Sequence, residues 1–142
     1  MSDGFLWLLL ADACMAGVIL SVQLVVYPGF SHFSDAELGR WHPTYSRKIS
    51  LIVIPLMTGQ LVGGIYWLLT GPGLASAVYA LLVCLLWAIT FRTFVPLHRR
   101  IAQGIAVQGD LSRLVSKNWI RTALWLLLFT WHLGFYAGWL AR

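Results

Sequence analysis

Residues 74–95 read LASAVYALLVCLLWAITFRTFV, a run of 22 whose single charge, Arg92, stands near its end. A helix rises about 1.5 Å per residue, so about 20 apolar residues cross the ~30 Å hydrocarbon layer of a bilayer. Residues 5–27, 49–70 and 119–140 match this run in length and character. None alternates polar and apolar positions as the ~10-residue strands of a membrane β-barrel do. The 142 residues are 59% hydrophobic and only 11% charged, with a mean hydropathy of +0.76. A water-soluble domain of this size could not cover so much apolar surface. The expected fold is all-α: an integral membrane, up-down four-helix bundle, one domain over residues 1–142, with the lipid bilayer as its first partner.

The basic residues orient this bundle. Arg40, Arg47 and Lys48 separate the first two spans, and Arg92, Arg99, Arg100, Arg113, Lys117 and Arg121 lie at or between the facing ends of the last two. Only Arg142 falls on the other side. The positive-inside bias puts both long loops in the cytoplasm and the N- and C-termini outside, as in a multi-pass protein of the bacterial inner membrane. The first span reads as a retained helix, because Asp3 and no Lys or Arg precedes it, unlike a signal peptide. A net charge of +5 suits anionic lipid headgroups at the inner face. Nucleic acid is excluded as a partner, since the basic residues sit at membrane ends and not on a soluble face.

The connections carry their own signals. Thr70-Gly71-Pro72-Gly73 is a tight outer turn. Pro28-Gly29 is expected to end the first helix. Ser34 and Glu37 form a capping box that opens a short interfacial helix in the first inner loop, from Asp35 to about Trp41, stopping before Pro43. The third helix is expected to kink at Pro96 and end at Gly104, with Asp110 as N-cap of the fourth. Gly59 and Gly63 form a GxxxG close-packing face, and Cys14 and Cys84 read as small packing residues.

Polar groups inside a span cost about 2.5–3.5 kcal/mol when charged, so each needs a partner. Counted from the outer ends, Asp12, His132 and Gln60 lie about 10, 12 and 15 Å deep, in one intramembrane polar layer. Asp12 and His132 are the natural pair. Asn118, Arg121, Trp125 and His132 share one face of the fourth helix, and Asp12, Ala16, Gln23 and Tyr27 share one of the first. These faces form either structural glue or a functional seam.

At the inner ends gather His32, His42, Tyr45, Arg47, Arg92, His98, Asn118 and Arg121. Histidine exchanges protons near neutral pH, and a buried arginine holds an anionic oxygen. No metal-ligand spacing occurs, and two axial histidines for a haem are not available from the membrane core, so no metal or cofactor is expected.

Val95-Pro96-Leu97-His98-Arg99-Arg100-Ile101, followed by Asn118-Trp119-Ile120-Arg121-Thr122, resembles the paired motifs of a family of small four-helix membrane proteins. That family includes the anthrone oxygenases, and most bacterial members are uncharacterised. The similarity would extend over nearly the whole chain, with His42 and Arg47 ahead of the second span. It implies insertion of dioxygen at the activated methylene of a polycyclic phenol, with His98, Asn118 and Arg121 around a deprotonated substrate. The leading expectation is an oxygenase-like oxidoreductase for a lipophilic aromatic or quinone-like small molecule. His98 or His42 accepts a proton, Arg121 with Asn118 stabilises the oxyanion, and Trp125, Tyr27 and Arg47 contact the substrate. The rival is a non-catalytic membrane subunit or assembly protein whose eight tryptophans face a homo-oligomer or membrane-complex partner. A transporter is weaker, because no inverted repeat occurs.

Overall fold

The computed structural model describes residues 3–104 and 107–138. These form four long helices and, among the described residues, no strand. Helix α1 begins as Asp3–Ser21 and continues through a π-turn (Val22–Val26), an α-turn (Tyr27–Gly29) and a 3-10 turn (Phe30–His32). Helix α2 is Asp35–Thr70, α3 is Leu74–Ala102 and α4 is Val107–Tyr136. Leu6–His32, Asp35–Thr70 and Leu74–Ala102 are long and apolar enough to cross a membrane. Helix α4 is not among them over its described residues, and it carries the buried Asn118, Arg121 and His132. The last two residues of its expected span, and Arg142, lie outside the described residues.

Prolines do not break the helices where the sequence predicts. Pro28-Gly29 does not end α1, and no separate interfacial helix covers residues 35–41; that segment is the first part of α2, which runs on through Pro43 and Pro55. A proline lacks the N–H for the carbonyl four residues back, and its ring crowds that carbonyl. At Pro43 that residue is Gly39, and the flanking Leu38 and His42 are buried, so packing holds the helical path. At Pro28 and Pro96 the device is a π-turn upstream. Val22–Val26 and Thr90–Phe94 each start six residues before the proline. The extra residue of a π-turn shifts the hydrogen-bond ladder so that the missing donor falls at a step already altered. The π-turn Thr90–Phe94 lies directly before Pro96, where the sequence predicts a kink.

The ends obey local rules more closely. At Ser34, Oγ accepts from the Glu37 N–H while the Ser34 N–H donates to Glu37 Oε2 at 3.0 Å, completing the capping box. Gly104, at φ +68°, takes the left-handed conformation that ends α3. Asp110 is not the N-cap of α4, which starts at Val107. Its buried carboxylate instead accepts from Arg100 Nε at 2.6 Å, clamping the end of α3 to α4.

The polarity of the bundle is reversed relative to a water-soluble one. Trp7, Leu51, Leu69 and Leu74 are more than 70% exposed, whereas Asp12, His42, Asn118 and His132 are fully buried. Cys14 and Cys84 are exposed and do not pack in the interior. The closest approaches are at Gly63, where a Cβ would lie 2.6 Å from Leu8 of α1, and at Gly64, where one would lie 3.0 Å from the Tyr79 ring of α3. Nothing meets Gly59, so the tight face is the Gly63-Gly64 pair and not the expected GxxxG. The Leu8 methyl can rotate away; the Tyr79 ring is held by a hydrogen bond described below. Gly64→Ala should therefore cost about 1–3 kcal/mol as an overpacking change. Gly59→Ala should be neutral or slightly stabilising, by up to about 1 kcal/mol of helix propensity. Unfolding in mixed detergent, followed by circular dichroism, separates the two. Equal stability of both variants would refute the assigned contact face.

Candidate functional site

Two polar constellations lie along the bundle axis. In the half nearest the Thr70–Leu74 turn, Asp12 of α1 is a hub for the other three helices. Its Oδ1 accepts from Gln60 Nε2 of α2 at 2.8 Å and from the Tyr79 hydroxyl of α3 at 2.8 Å. Its Oδ2 lies 2.7 Å from His132 Nδ1 of α4. Trp125 Nε1 donates to Gln60 Oε1 at 3.3 Å, and the His132 ring packs against Trp67 and Tyr79. Met15, Tyr79, Trp125 and Leu128 are fully buried around the hub. The Asp12, Gln60 and His132 layer thus meets as one network. Sequence reasoning missed Tyr79, although its position five residues from Leu74 puts it at about 8 Å along the helix, near the depth of Asp12.

The second constellation heads a cavity of about 260 Å³. Residues of α1, α2 and α3 form its walls, and α4 contributes only Arg121. The walls are apolar along Val18, Ile49, Val53, Met57 and Phe94, and polar side chains gather at the end formed by Tyr27, Tyr45, His98 and Arg121. Arg121 is 5% exposed, and its guanidinium carbon sits 4.0 Å from the Phe94 ring centroid and 5.1 Å from that of Trp125. Its Nε has no hydrogen-bond partner, and among the described residues no carboxylate pairs with it. One turn earlier, Asn118 Nδ2 donates to Gln23 Oε1 at 2.7 Å while its Oδ1 is unsatisfied. A buried charge is tolerated when paired, so this guanidinium is set for a partner that no described residue supplies.

Beside it runs a chain of side chains from three helices. The Tyr27 hydroxyl lies 3.4 Å from His98 Nε2, His98 Nδ1 lies 3.0 Å from His42 Nε2, and His42 Nδ1 lies 3.4 Å from Ser46 Oγ. Two facing imidazole nitrogens must share one hydrogen, so the tautomers are coupled. If His98 donates from Nδ1, its Nε2 accepts from Tyr27 and His42 donates onward to Ser46; the reverse polarity is equally self-consistent. The pair can therefore take up one additional proton but not two. Sequence reasoning placed His42 in a loop. It is fully buried in α2, under the rings of Phe30 and Tyr45, because continuation of the helix through Pro43 turns it inward.

The other expected site residues divide. Tyr27, His98 and Arg121 line the cavity and His42 joins them through His98, whereas Asn118 is buried one turn away on Gln23 and does not line it. Arg47, His32 and Arg92 are exposed and stand apart from the cavity. Trp125 is buried but does not line the cavity, since its indole is committed to Gln60 and its ring to Arg121. The cavity does not extend to His132. Among the described residues no three His, Cys, Asp or Glu side chains are grouped to hold a metal ion. No protein-family model, curated protein or solved structure matches the chain.

Proposed function

We propose that this is a multi-pass membrane protein whose cavity binds a lipophilic aromatic or quinone-like molecule by an oxygen-bearing head and oxidises it in an oxygenase-like reaction. The four helices run up and down across the bilayer, both long connections face the cytoplasm, and the termini lie outside. Exposed Arg99, Arg113 and Lys117 meet anionic headgroups at the inner face.

One observation carries the binding half of this reading: the buried, unpaired Arg121 guanidinium at the polar end of an apolar cavity. A phenolate or enolate oxygen satisfies it at little desolvation cost, because protein has already replaced the water. His98 stands beside Tyr27 to accept the phenolic proton and share it with His42. The oxidative half follows the resemblance of the motifs around His98 and Arg121 to the anthrone-oxygenase family. Dioxygen is then the co-reactant: an activated methylene loses two hydrogens, one oxygen atom becomes its carbonyl, and the other leaves as water.

His98→Ala should lower anthrone turnover by about 10²–10⁴, the range of general-base catalysis, while binding of a phenol already ionised in solution changes little. Purified protein in nanodiscs, given anthrone under air and followed by absorbance, tests this. If neither wild type nor variant converts anthrone, and a stoichiometric partner co-purifies through the exposed tryptophan faces, the non-catalytic membrane subunit is the better reading.

A further inference from the structure

We infer that the ligand enters this cavity sideways, from the hydrocarbon of the bilayer, through a window between α2 and α3. The inference rests on the proposed binding of a lipophilic phenol and identifies the phase from which that molecule is taken. Most lining side chains are buried or half-buried. Ile54, Phe91 and Val95 line the cavity and are also 54%, 53% and 39% exposed. Ile54 belongs to α2 and the other two to α3, so the cavity opens where these helices face each other, and all three edges are apolar.

Two cross-helix contacts bound the window. Towards the Thr70–Leu74 turn, Trp87 Nε1 donates to the Met57 carbonyl at 3.3 Å. Towards the longer connections, His98 and His42 meet at 3.0 Å. Trp87 and His98 stand 11 residues apart along α3, about 16 Å of helix. Over that length no hydrogen bond joins α2 to α3 among the described residues. The π-turn Thr90–Phe94 lies within this stretch and supplies Phe91 to the lip. A lip without polar bonds can part at the cost of apolar contacts alone, and acyl chains replace those contacts.

The two ends of the cavity are filled. Phe30, Leu38 and His42, each no more than 1% exposed, lie over the polar end, with Trp41 stacked on Tyr45 outside them. Towards the turn, Met57, Trp125, Leu128 and the Asp12 hub occupy the axis. An open groove between α1 and α2, edged by Gly17 and Ser21, shares Val18, Val22 and Ile49 with the cavity and is the competing route. The arrangement selects an amphiphile already dissolved in the membrane, which enters with its oxygen towards Arg121 and its ring trailing towards Ile54 and Phe91.

The test uses full-length protein in phosphatidylcholine vesicles and 1-naphthol, a lipophilic phenol whose own fluorescence reports its surroundings, mixed by stopped flow. The wild-type binding rate should follow the mole fraction of naphthol in the lipid as the lipid amount is varied. Ile54→Trp, at an exposed position on the lip, should slow association and dissociation together by about tenfold, as expected for an obstructed path. Phe91→Ala should speed both, and Gly17→Leu, which fills the α1–α2 groove, should change neither. A rate that follows the aqueous concentration, or window variants with wild-type kinetics, or slowing by Gly17→Leu alone, overturns the route. If naphthol binds, and Arg121→Leu abolishes binding, those outcomes reject the route while the site stands. Absence of naphthol binding to wild type rejects both.

Discussion

Asp12→Ala is expected to cost the bundle about 3–5 kcal/mol, because it leaves several buried polar groups without their partner, at about 1–3 kcal/mol for each group left unsatisfied. The carboxylate takes hydrogen bonds from Gln60 and Tyr79 and pairs with His132, so its loss withdraws the partner of three side chains on three helices at once. Hydrogen bonds between membrane helices average only about 0.6 kcal/mol, so three independent ones would sum to about 1.8 kcal/mol, below the expected range. The larger value follows because the site is fully buried and packed, and water cannot enter to solvate what is left. Asp12→Asn should cost less than Asp12→Ala, because one carbonyl acceptor survives. Reversible unfolding in mixed detergent and SDS measures both. A cost for Asp12→Ala under about 1 kcal/mol would show that the hub does not tie the helices together.

Arg121→Leu is expected to move stability and binding in opposite directions. Its guanidinium is buried against Phe94 and Trp125 without a carboxylate, so the folded protein bears the desolvation of a charge with no pairing in return. Replacing buried charges by leucine-like side chains of similar volume is commonly neutral or stabilising by about 1–4 kcal/mol. A ligand oxyanion seated on the same guanidinium is worth about 2–5 kcal/mol, so naphthol affinity should fall by roughly 30-fold or more. Arg121→Lys retains the charge but loses the planar fork, and should bind with intermediate affinity. Unfolding in the absence of ligand and titration with naphthol together check the sign. If Arg121→Leu is destabilised by several kcal/mol and binds naphthol as wild type does, Arg121 is a structural residue and the cavity has no anionic head site.

These two residues also mark the boundary between what could be read along the chain and what could not. Asp12 and Arg121 stand out in sequence because a charge within an apolar run is costly wherever the rest of the chain goes. Counting residues from the span ends was enough to bring Asp12, Gln60 and His132 to one level. Tyr79 escaped because tyrosine is ordinary in a membrane helix, and only the adjacent carboxylate makes its hydroxyl significant. Trp125 shows the complementary limit of such counting. Helical spacing put it on the inward face, but that face divides between a filled half and a cavity, and its indole is held in the filled half by Gln60.

The sequence alone therefore determined the long apolar helices, the polar layer and the inward faces of α1 and α4. Hydropathy over 20 residues and the 3.6-residue period are properties of each segment by itself. The tertiary structure decided whether Pro28, Pro43 and Pro96 would interrupt a helix, that His42 would turn inward to meet His98, and where the interior would be left empty. Each of these depends on what neighbouring helices supply: packing that holds a proline in a helical path, a second imidazole to share a hydrogen, or a missing side chain where three helices diverge. No local pattern encodes a neighbour's contribution, and so the cavity and its unpaired arginine became visible only once the helices were assembled.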